Sequence, residues 1–250
     1  MSRSCAPRVA EDPASSLFRF ALVSDAHLVG PESAALLAAA IEGINREPPD
    51  FVLFAGDMTD AGTAAQHAIL RDCLRRLRAP CHLLAGNHDV ERVGPARRHP
   101  ETFGAPSFSR DIAGCRCLAL DTTNDDPDPG NWHGFVEPPA FAWLHEVLAD
   151  TPDDTPLILF THHGLVGRCE DLTCDVGNAG EVLALLQGRR LVAGFAGHAH
   201  RIALNWWQGV PFVTAPALST VRENTGCPPG FLWVDVLPGR VRVRLEVAGL

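Results

Sequence analysis

The sequence contains no lysine and no tyrosine, so its 21 basic residues are all arginine. Asp and Glu outnumber them at 30, which gives a formal net charge of −9. Proteins that bind nucleic acids or anionic membrane surfaces broadly depend on clustered positive charge. We therefore expect neither a nucleic-acid polymer nor a membrane as a partner.

The chain also lacks long apolar runs. No stretch approaches the roughly 20 apolar residues that a transmembrane helix needs. The first 16 residues combine charges and prolines without an apolar centre, which is unlike a signal peptide. We predict that residues 1–16 form a mobile leader, that residues 17–250 form a single domain, and that the protein is cytoplasmic.

The eight cysteines show no spacing typical of a zinc site or a disulfide framework. We expect them to be reduced and to pack as small hydrophobic residues. Cys169 and Cys174 remain an open alternative, because they bracket one loop. The distance between their Cα atoms decides whether they can oxidise.

Short apolar runs bounded by Gly, Pro and polar residues predict buried strands. Five such runs are Phe18–Val23, Phe51–Ala55, Cys81–Ala85, Leu157–Phe160 and Leu191–Ala196. Helical periodicity is found at 33–46, 63–78, about 138–148 and 178–187, and alternating strands follow at 202–207, 210–214, 231–237 and 241–247. Strands that follow helices in this way predict mixed sheets whose outer faces are covered by helices.

A polar motif follows each of these five runs. The motifs are Asp25-Ala26-His27, Gly56-Asp57-Met58-Thr59-Asp60, Gly86-Asn87-His88-Asp89, Thr161-His162-His163 and Gly197-His198-Ala199-His200. Sheets of α/β proteins bind ligands past the carboxyl ends of their strands, so these side chains should meet. Carboxylates and imidazoles bind divalent ions such as Mn, Fe, Zn, Ni or Co, and an amide oxygen completes a shell without adding charge. The pattern predicts a two-metal centre.

The ordered set of motifs resembles the calcineurin-like metallophosphoesterases over about residues 18–236. The resemblance implies an α/β fold, namely a four-layer αββα sandwich of two mixed β-sheets flanked by helices. It also implies two divalent metal ions. One ion would be held by Asp25, His27, Asp57 and His200, and the other by Asp57, Asn87, His162 and His198.

Asp57 would bridge the two ions in this scheme. Because two close cations repel each other, a shared carboxylate and a shared hydroxide lower the cost of holding both. The resemblance therefore implies hydrolysis of a phosphoester by attack of a metal-bridging hydroxide.

Family resemblance also assigns residues to catalysis and substrate binding. His88 would be the general acid, and the Asp60 carboxylate would orient it. Asp60 could also cap the helix that follows, and the two roles are compatible. Asn87, His88 and His163 would face the substrate. The resemblance assigns His162 as the metal ligand and His163 as a packing or lining residue. Neighbouring residues at a strand end point to opposite sides, so only one of the two should face the metals.

Within the family, the short motif set looks most like the class III cyclic-nucleotide phosphodiesterases. Ala61 and Asp89 stand where protein Ser/Thr phosphatases carry Arg and Glu, which counts against a protein phosphatase. We expect a small phosphodiester as substrate, a cyclic nucleotide or a similar molecule. The alternatives are a phosphomonoesterase, a nucleotide pyrophosphatase, or a non-catalytic protein-binding scaffold of the same fold.

Two loops are predicted to form the substrate wall, Thr122 to Gly134 and Gly164 to Gly177. Arg168, Arg222 and Asn224 are the candidate contacts to a phosphate or a base, although a lone loop arginine is usually just solvated. Because few fixed cations are available, a diester monoanion should be preferred over a monoester dianion. The sequence leaves a homo-oligomer open.

Overall fold

The computed structural model describes residues 16–93, 96–125, 131–167, 175–222 and 224–249. Nearly all of the predicted leader, together with Arg168, Cys169 and Cys174, lies outside the described residues. No helix in the described ranges is long and apolar enough to cross a membrane. The single domain over residues 17–250 stays a prediction.

The nine strands predicted from the sequence all form, and each begins and ends within one residue of its predicted position. In chain order they are β1 (Phe18–Val23), β2 (Phe51–Ala55), β3 (Cys81–Leu84), β4 (Glu91–Val93), β5 (Ala96–Arg98), β6 (Phe108–Ile112), β7 (Cys115–Ala119), β8 (Leu157–Phe160), β9 (Leu191–Ala196), β10 (Ala203–Trp207), β11 (Val210–Thr214), β12 (Gly230–Leu237) and β13 (Arg240–Val247). The α-helices are α1 (Ala35–Arg46), α2 (Ala64–Leu74), α3 (Pro138–Ala149) and α4 (Ala179–Leu186).

Two mixed sheets form the centre of the fold. The first sheet has the order β13-β12-β1-β2-β3, and β1, β2 and β3 run parallel. The second has the order β10-β11-β9-β8-β7-β6, and its strands β7, β8, β9 and β11 run parallel. The strands that precede the five motifs therefore all belong to parallel parts of the two sheets.

Three hydrophobic layers hold the sheets and helices together. The central layer lies between the sheets and contains Phe20, Phe160 and Phe195, whose rings make edge and stacked contacts. A second layer packs α1 and α2 on the first sheet, and a third packs α3 and α4 on the other. This is the predicted αββα sandwich.

Two helices differ from the prediction at one end, where a 3-10 turn replaces part of the predicted α-helix. The helix predicted from Ser33 begins as a 3-10 turn at Pro31–Ala34, and α1 follows it directly. The helix predicted to reach Arg78 ends at Leu74, and hydrogen bonds from Arg76 to Cys73 and from Leu77 to Leu74 close a 3-10-type turn. The β4–β5 hairpin was not predicted, because strands of three residues show no readable alternation.

Candidate metal centre

The five motifs meet at the carboxyl ends of β1, β2, β3, β8 and β9, and their backbones are hydrogen-bonded to one another. Asp25 N donates to Gly56 O at 2.9 Å, and Gly197 N donates to His162 O at 3.0 Å. The two sheets are also joined here, since His198 N donates to the Asp25 carboxylate at 2.9 Å. The predicted site residues are therefore held by main-chain contacts from both sheets.

Positive backbone φ angles concentrate at these motifs. Seven non-glycine residues of the described ranges have positive φ, and five of them are predicted metal ligands. The five are Asp25 (56°), His27 (45°), Asp57 (53°), His198 (66°) and His200 (48°). Such conformations cost about 1 kcal/mol or more each in a non-glycine residue and are typical of functional sites. The surrounding structure holds these five side chains in directions that relaxed backbone would not give.

We call Asp25, His27, Asp57 and His200 the first donor group. The Nε2 atoms of His27 and His200 lie 3.0 Å apart, and His200 Nε2 lies 3.4 Å from Asp25 Oδ1. His27 Nε2 lies 3.9 Å from a carboxylate oxygen of Asp25 and of Asp57. Asp25 Oδ1 is buried without a hydrogen-bond partner. A buried carboxylate oxygen and two imidazole nitrogens thus converge on one point, as a divalent cation would require.

We call Asp57, Asn87, His162 and His198 the second donor group. His162 Nδ1 donates to Ala55 O at 2.7 Å, so Nε2 is the ring nitrogen that faces the site. That Nε2 lies 3.3 Å from Asp57 Oδ2 and 3.2 Å from Asn87 Oδ1. His198 joins His162 and His163 in a cluster of possible ligand atoms. These donors also fit one divalent cation.

Asp57 is common to both groups. Its Oδ1 accepts a hydrogen bond from His88 N at 2.8 Å, while Oδ2 faces His162 and His27. Gly86 is required beside it, because a Cβ at that position would collide with the Asp57 carboxylate. The carboxylate is therefore fixed between the two histidines, as a bridging ligand must be.

The charges of Asp57 and His162 are coupled at this centre. Burial alone would raise the pKa of Asp57, but the imidazoles of His162, His27 and His88 together outweigh it and hold that pKa well below its usual value. Burial opposes protonation of His162, yet the Asp57 carboxylate raises the His162 pKa to about 10. Without a metal, a proton on His162 thus compensates Asp57, and metal binding must displace it.

The two adjacent histidines do not point to opposite sides, and this part of the sequence reasoning was wrong. Both Nε2 atoms reach Asn87 Oδ1, at 3.2 Å for His162 and 3.1 Å for His163. The reason is that β8 ends at Phe160, so strand alternation no longer applies two residues later. His163 differs in that Nε2 also donates to Trp132 O at 3.1 Å and Nδ1 bonds Thr122 Oγ1 at 2.9 Å.

The contact between Asp60 and His88 also differs from expectation. His88 Nδ1 donates to the backbone carbonyl of Asp60 at 2.7 Å. The Asp60 carboxylate instead bonds Arg222 Nε at 2.9 Å and lies 3.2 Å from His27 Nδ1, although that second contact is not aligned as a hydrogen bond. Asp60 does not cap α2 either, because Thr63 Oγ1 accepts from Gln66 N there.

Five of the seven donors line a cavity of about 880 Å³, namely His27, Asp57, Asn87, His198 and His200. His88, Trp132, Asp175, Arg201 and Arg222 line it as well. Trp132 and Arg222 belong to segments that the sequence singled out, and Asn87, His88 and Arg222 are brought to the cavity as predicted. Asn224 does not line it, since its side chain bonds the backbone of Ala217. His163, which was also predicted to face the substrate, is fully buried and does not line the cavity.

A family model for calcineurin-like phosphoesterases matches residues 18–201. The chain belongs to this family. The predicted phosphoesterase class is therefore confirmed, and the protein is a hydrolase of phosphoester bonds.

Two curated relatives show which members of the family the chain is similar to. The phosphoesterase is 34% identical over 218 residues to a "Probable cyclic nucleotide phosphodiesterase" of Rhodopseudomonas palustris, covering 78% of this chain and 76% of the relative. It is 29% identical to the glycerophosphodiester phosphodiesterase GpdQ of Enterobacter lignolyticus, covering 73% and 66%. The predicted likeness to the cyclic-nucleotide phosphodiesterase group is thus confirmed.

The fold is confirmed by a solved structure. A dimetal phosphatase from Danio rerio superposes with a TM-score of 0.71 at 16% sequence identity, covering 92% of the phosphoesterase and 96% of that chain. The αββα prediction holds in both its sheets and its helical layers.

Sequence reasoning missed two residues of the phosphoesterase cavity. Arg201 directly follows the last motif, and its Nε and Nη2 atoms are buried with no hydrogen-bond partner in the described part of the chain. Asp175 lies within the predicted second wall, where it contacts His198 and His133. Its acidic character and its place in that wall were the only signals in the sequence.

Proposed function

We propose that the phosphoesterase is a dinuclear metal-dependent phosphodiesterase, with a cyclic nucleotide or a similar small diester as substrate. The observation that carries the proposal is the pair of buried donor groups that share Asp57. Each group combines a carboxylate with imidazoles, and each draws donors from both sheets. The chain retains every predicted ligand and His88, which counts against a non-catalytic scaffold.

In this proposal the first donor group holds one divalent ion and the second holds the other. When bound, the two ions would supply Lewis-acid stabilisation of phosphoryl oxygens and a nucleophile at neutral pH. Mn, Fe, Zn, Ni and Co all suit such donors, so the identity of the metal is left open. The cytoplasmic location and the homo-oligomer stay predictions.

His88 is proposed to give a proton to the leaving oxygen. Its Nδ1 is occupied by the Asp60 carbonyl at 2.7 Å, so the ring is fixed and its Nε2 remains for the substrate. The ring also packs edge-on against His27 at 4.9 Å between centroids, which places it beside the first donor group. A general acid needs this combination of fixed orientation and access to the cavity.

The fixed cations of the cavity support a diester. Arg222 is paired with Asp60, so its charge is largely compensated. Arg201 has no such partner among the described residues, and a guanidinium with buried, unpaired nitrogens is costly unless an anion completes it. We propose that Arg201 contacts the phosphoryl group. One uncompensated cation suits the single charge of a diester better than the dianion of a monoester.

Trp132 favours a nucleotide over a glycerol diester. Trp132 is 39% exposed and lines the cavity, and its ring lies 5.6 Å from that of His198 in the second donor group. An exposed aromatic ring beside a phosphate site can stack on a nucleobase, whereas a glycerol group offers no face to stack.

The test is a substrate panel with the Mn²⁺-loaded protein, after metal content has been measured. We expect bis(p-nitrophenyl) phosphate to be cleaved with a higher kcat/KM than p-nitrophenyl phosphate, and a cyclic nucleotide to be opened at a measurable rate. A clear monoester preference would replace the diesterase proposal by a phosphomonoesterase. The family and the fold would not be affected.

A further inference from the structure

Asp175 lies between two imidazoles at the edge of the second donor group. Its Oδ2 is 2.6 Å from His198 Nε2, and its Oδ1 is 2.7 Å from His133 Nδ1. The Asp175 side chain is only 2% exposed, whereas that of His133 is 56% exposed. The carboxylate therefore connects a histidine of the centre, whose side chain is 9% exposed, to a histidine at the surface.

Main-chain contacts fix Asp175 from two directions. Its N donates to Gly164 O at 2.9 Å, and its carbonyl accepts from Gly134 N at 2.7 Å. These partners belong to the loop after β8 and the loop before α3. The backbone of Asp175 is thus held by the fold and does not depend on His198 for its position.

The ring of Trp132 covers this arrangement. It stacks on His133 with centroids 4.4 Å apart and on His198 with centroids 5.6 Å apart. The indole ring therefore lies over both imidazoles that contact the Asp175 carboxylate.

The contact at Nε2 has a direct consequence for His198. With that nitrogen facing Asp175, Nδ1 is the ring nitrogen left for the second donor group. Asp175 itself belongs to none of the clusters of possible ligand atoms found among the described residues, whereas His198 clusters with His162 and His163. Asp175 is placed behind the histidine and not at the metal position.

We infer that Asp175 is the positioning residue of His198: it accepts the Nε2 proton, selects the tautomer that presents Nδ1, and holds the ring toward the second ion. The inference rests on the proposed dinuclear centre. Carboxylates placed in this way behind a ligating imidazole typically change metal affinity by about 10- to 100-fold. The contact is short but not ideally aligned, and a bound ion that draws on Nδ1 would strengthen it.

The test is metal binding by the full-length protein without substrate. Wild type and Asp175→Asn are titrated with Co²⁺, and both dissociation constants and the visible absorption spectrum are recorded. We expect the substitution to weaken one ion by about 10- to 100-fold and alter its absorption bands, while the other ion binds as in wild type. Asp121→Asn is the matched control, since Asp121 is a buried carboxylate that does not line the cavity, and it should leave both constants unchanged.

A merely structural role would weaken both ions together or neither, and either result would overturn the inference. If Asp175→Asn does not fold, His133→Ala decides, because His133 is exposed and its loss leaves Asp175 with one partner. It should weaken the same single ion, by less than tenfold, and unchanged constants would count against the inference. If wild type itself binds no pair of ions, the proposed dinuclear function fails first.

Discussion

The two donor groups differ in the carboxylate that contacts the outer ring nitrogen of one of their histidines. Behind His27 lies Asp60, whose side chain is 23% exposed and shared with Arg222 at the cavity wall. Behind His198 lies Asp175, which is buried and shared with His133. The second group is thus supported by a carboxylate in the interior of the protein. In the first group, the Asp60 carboxylate contacts both His27 and Arg222, and Arg222 lines the cavity. A substitution of Arg222 would therefore alter a carboxylate that also contacts His27.

Asp57→Ala is the substitution expected to have the largest effect, because it removes the one residue common to both groups. We predict loss of both ions and of all metal-dependent activity. Elemental analysis after gel filtration measures this, with Asp72→Ala on the surface of α2 as the control, since that carboxylate is largely exposed. Equal metal content in Asp57→Ala and wild type would refute the bridging assignment.

His27→Ala and His162→Ala separate the two groups. Each should retain about one ion per chain and lose the other, because each histidine contacts the donors of one group. His163→Ala should keep both ions, since Nε2 of His163 already donates to Trp132 O. Metal content per chain distinguishes the variants. Loss of an ion in His163→Ala but not in His162→Ala would move the ligand by one residue.

His88→Ala should leave both groups occupied while turnover falls by roughly 10²–10⁴-fold, the usual contribution of a general acid. The fall should be smaller for a substrate with a very good leaving group, which needs little protonation. Steady-state rates with p-nitrophenyl and alkyl diesters, at measured metal content, give the comparison. Loss of one ion in His88→Ala would instead show that His88 is a metal ligand.

The two arginines should show the smallest and most selective effects. Arg201→Ala is expected to lower kcat/KM for a diester by about tenfold or more, which corresponds to a charge-assisted hydrogen bond of roughly 1.5–3 kcal/mol. Arg222→Ala should cost less, because its charge is already paired with Asp60. Competition by inorganic phosphate measures binding independently of turnover. A larger effect at Arg222 than at Arg201 would reverse the proposed roles.

The sequence was sufficient for most of the fold because the buried strands are short, uniformly apolar and followed by distinctive motifs. Residues such as Asp25 and His198 could be placed together, since parallel strands end at one edge. The contacts of Asp60 and Asp175 could not be placed in this way. Their partners lie on loops, and Arg222 is 162 residues from Asp60, so no periodic signal relates them.

His163 shows a second limit of prediction from the sequence. Strand alternation is a rule about extended backbone, and it was applied to residues beyond the end of β8. Positive φ at five predicted ligands shows why such rules fail at the motifs. The backbone conformation sets the direction of these side chains, and the residue type does not predict that conformation.

Because each donor group takes side chains from both sheets, the ions would also act as cross-links in the tertiary structure. Asp25, His27 and Asp57 follow strands of the first sheet, while His198 and His200 follow a strand of the second. A chain in which only one sheet has formed contains neither complete group. Metal binding is then linked to docking of the sheets, and an ion present at a hundred times its dissociation constant would stabilise the docked state by about 2.7 kcal/mol.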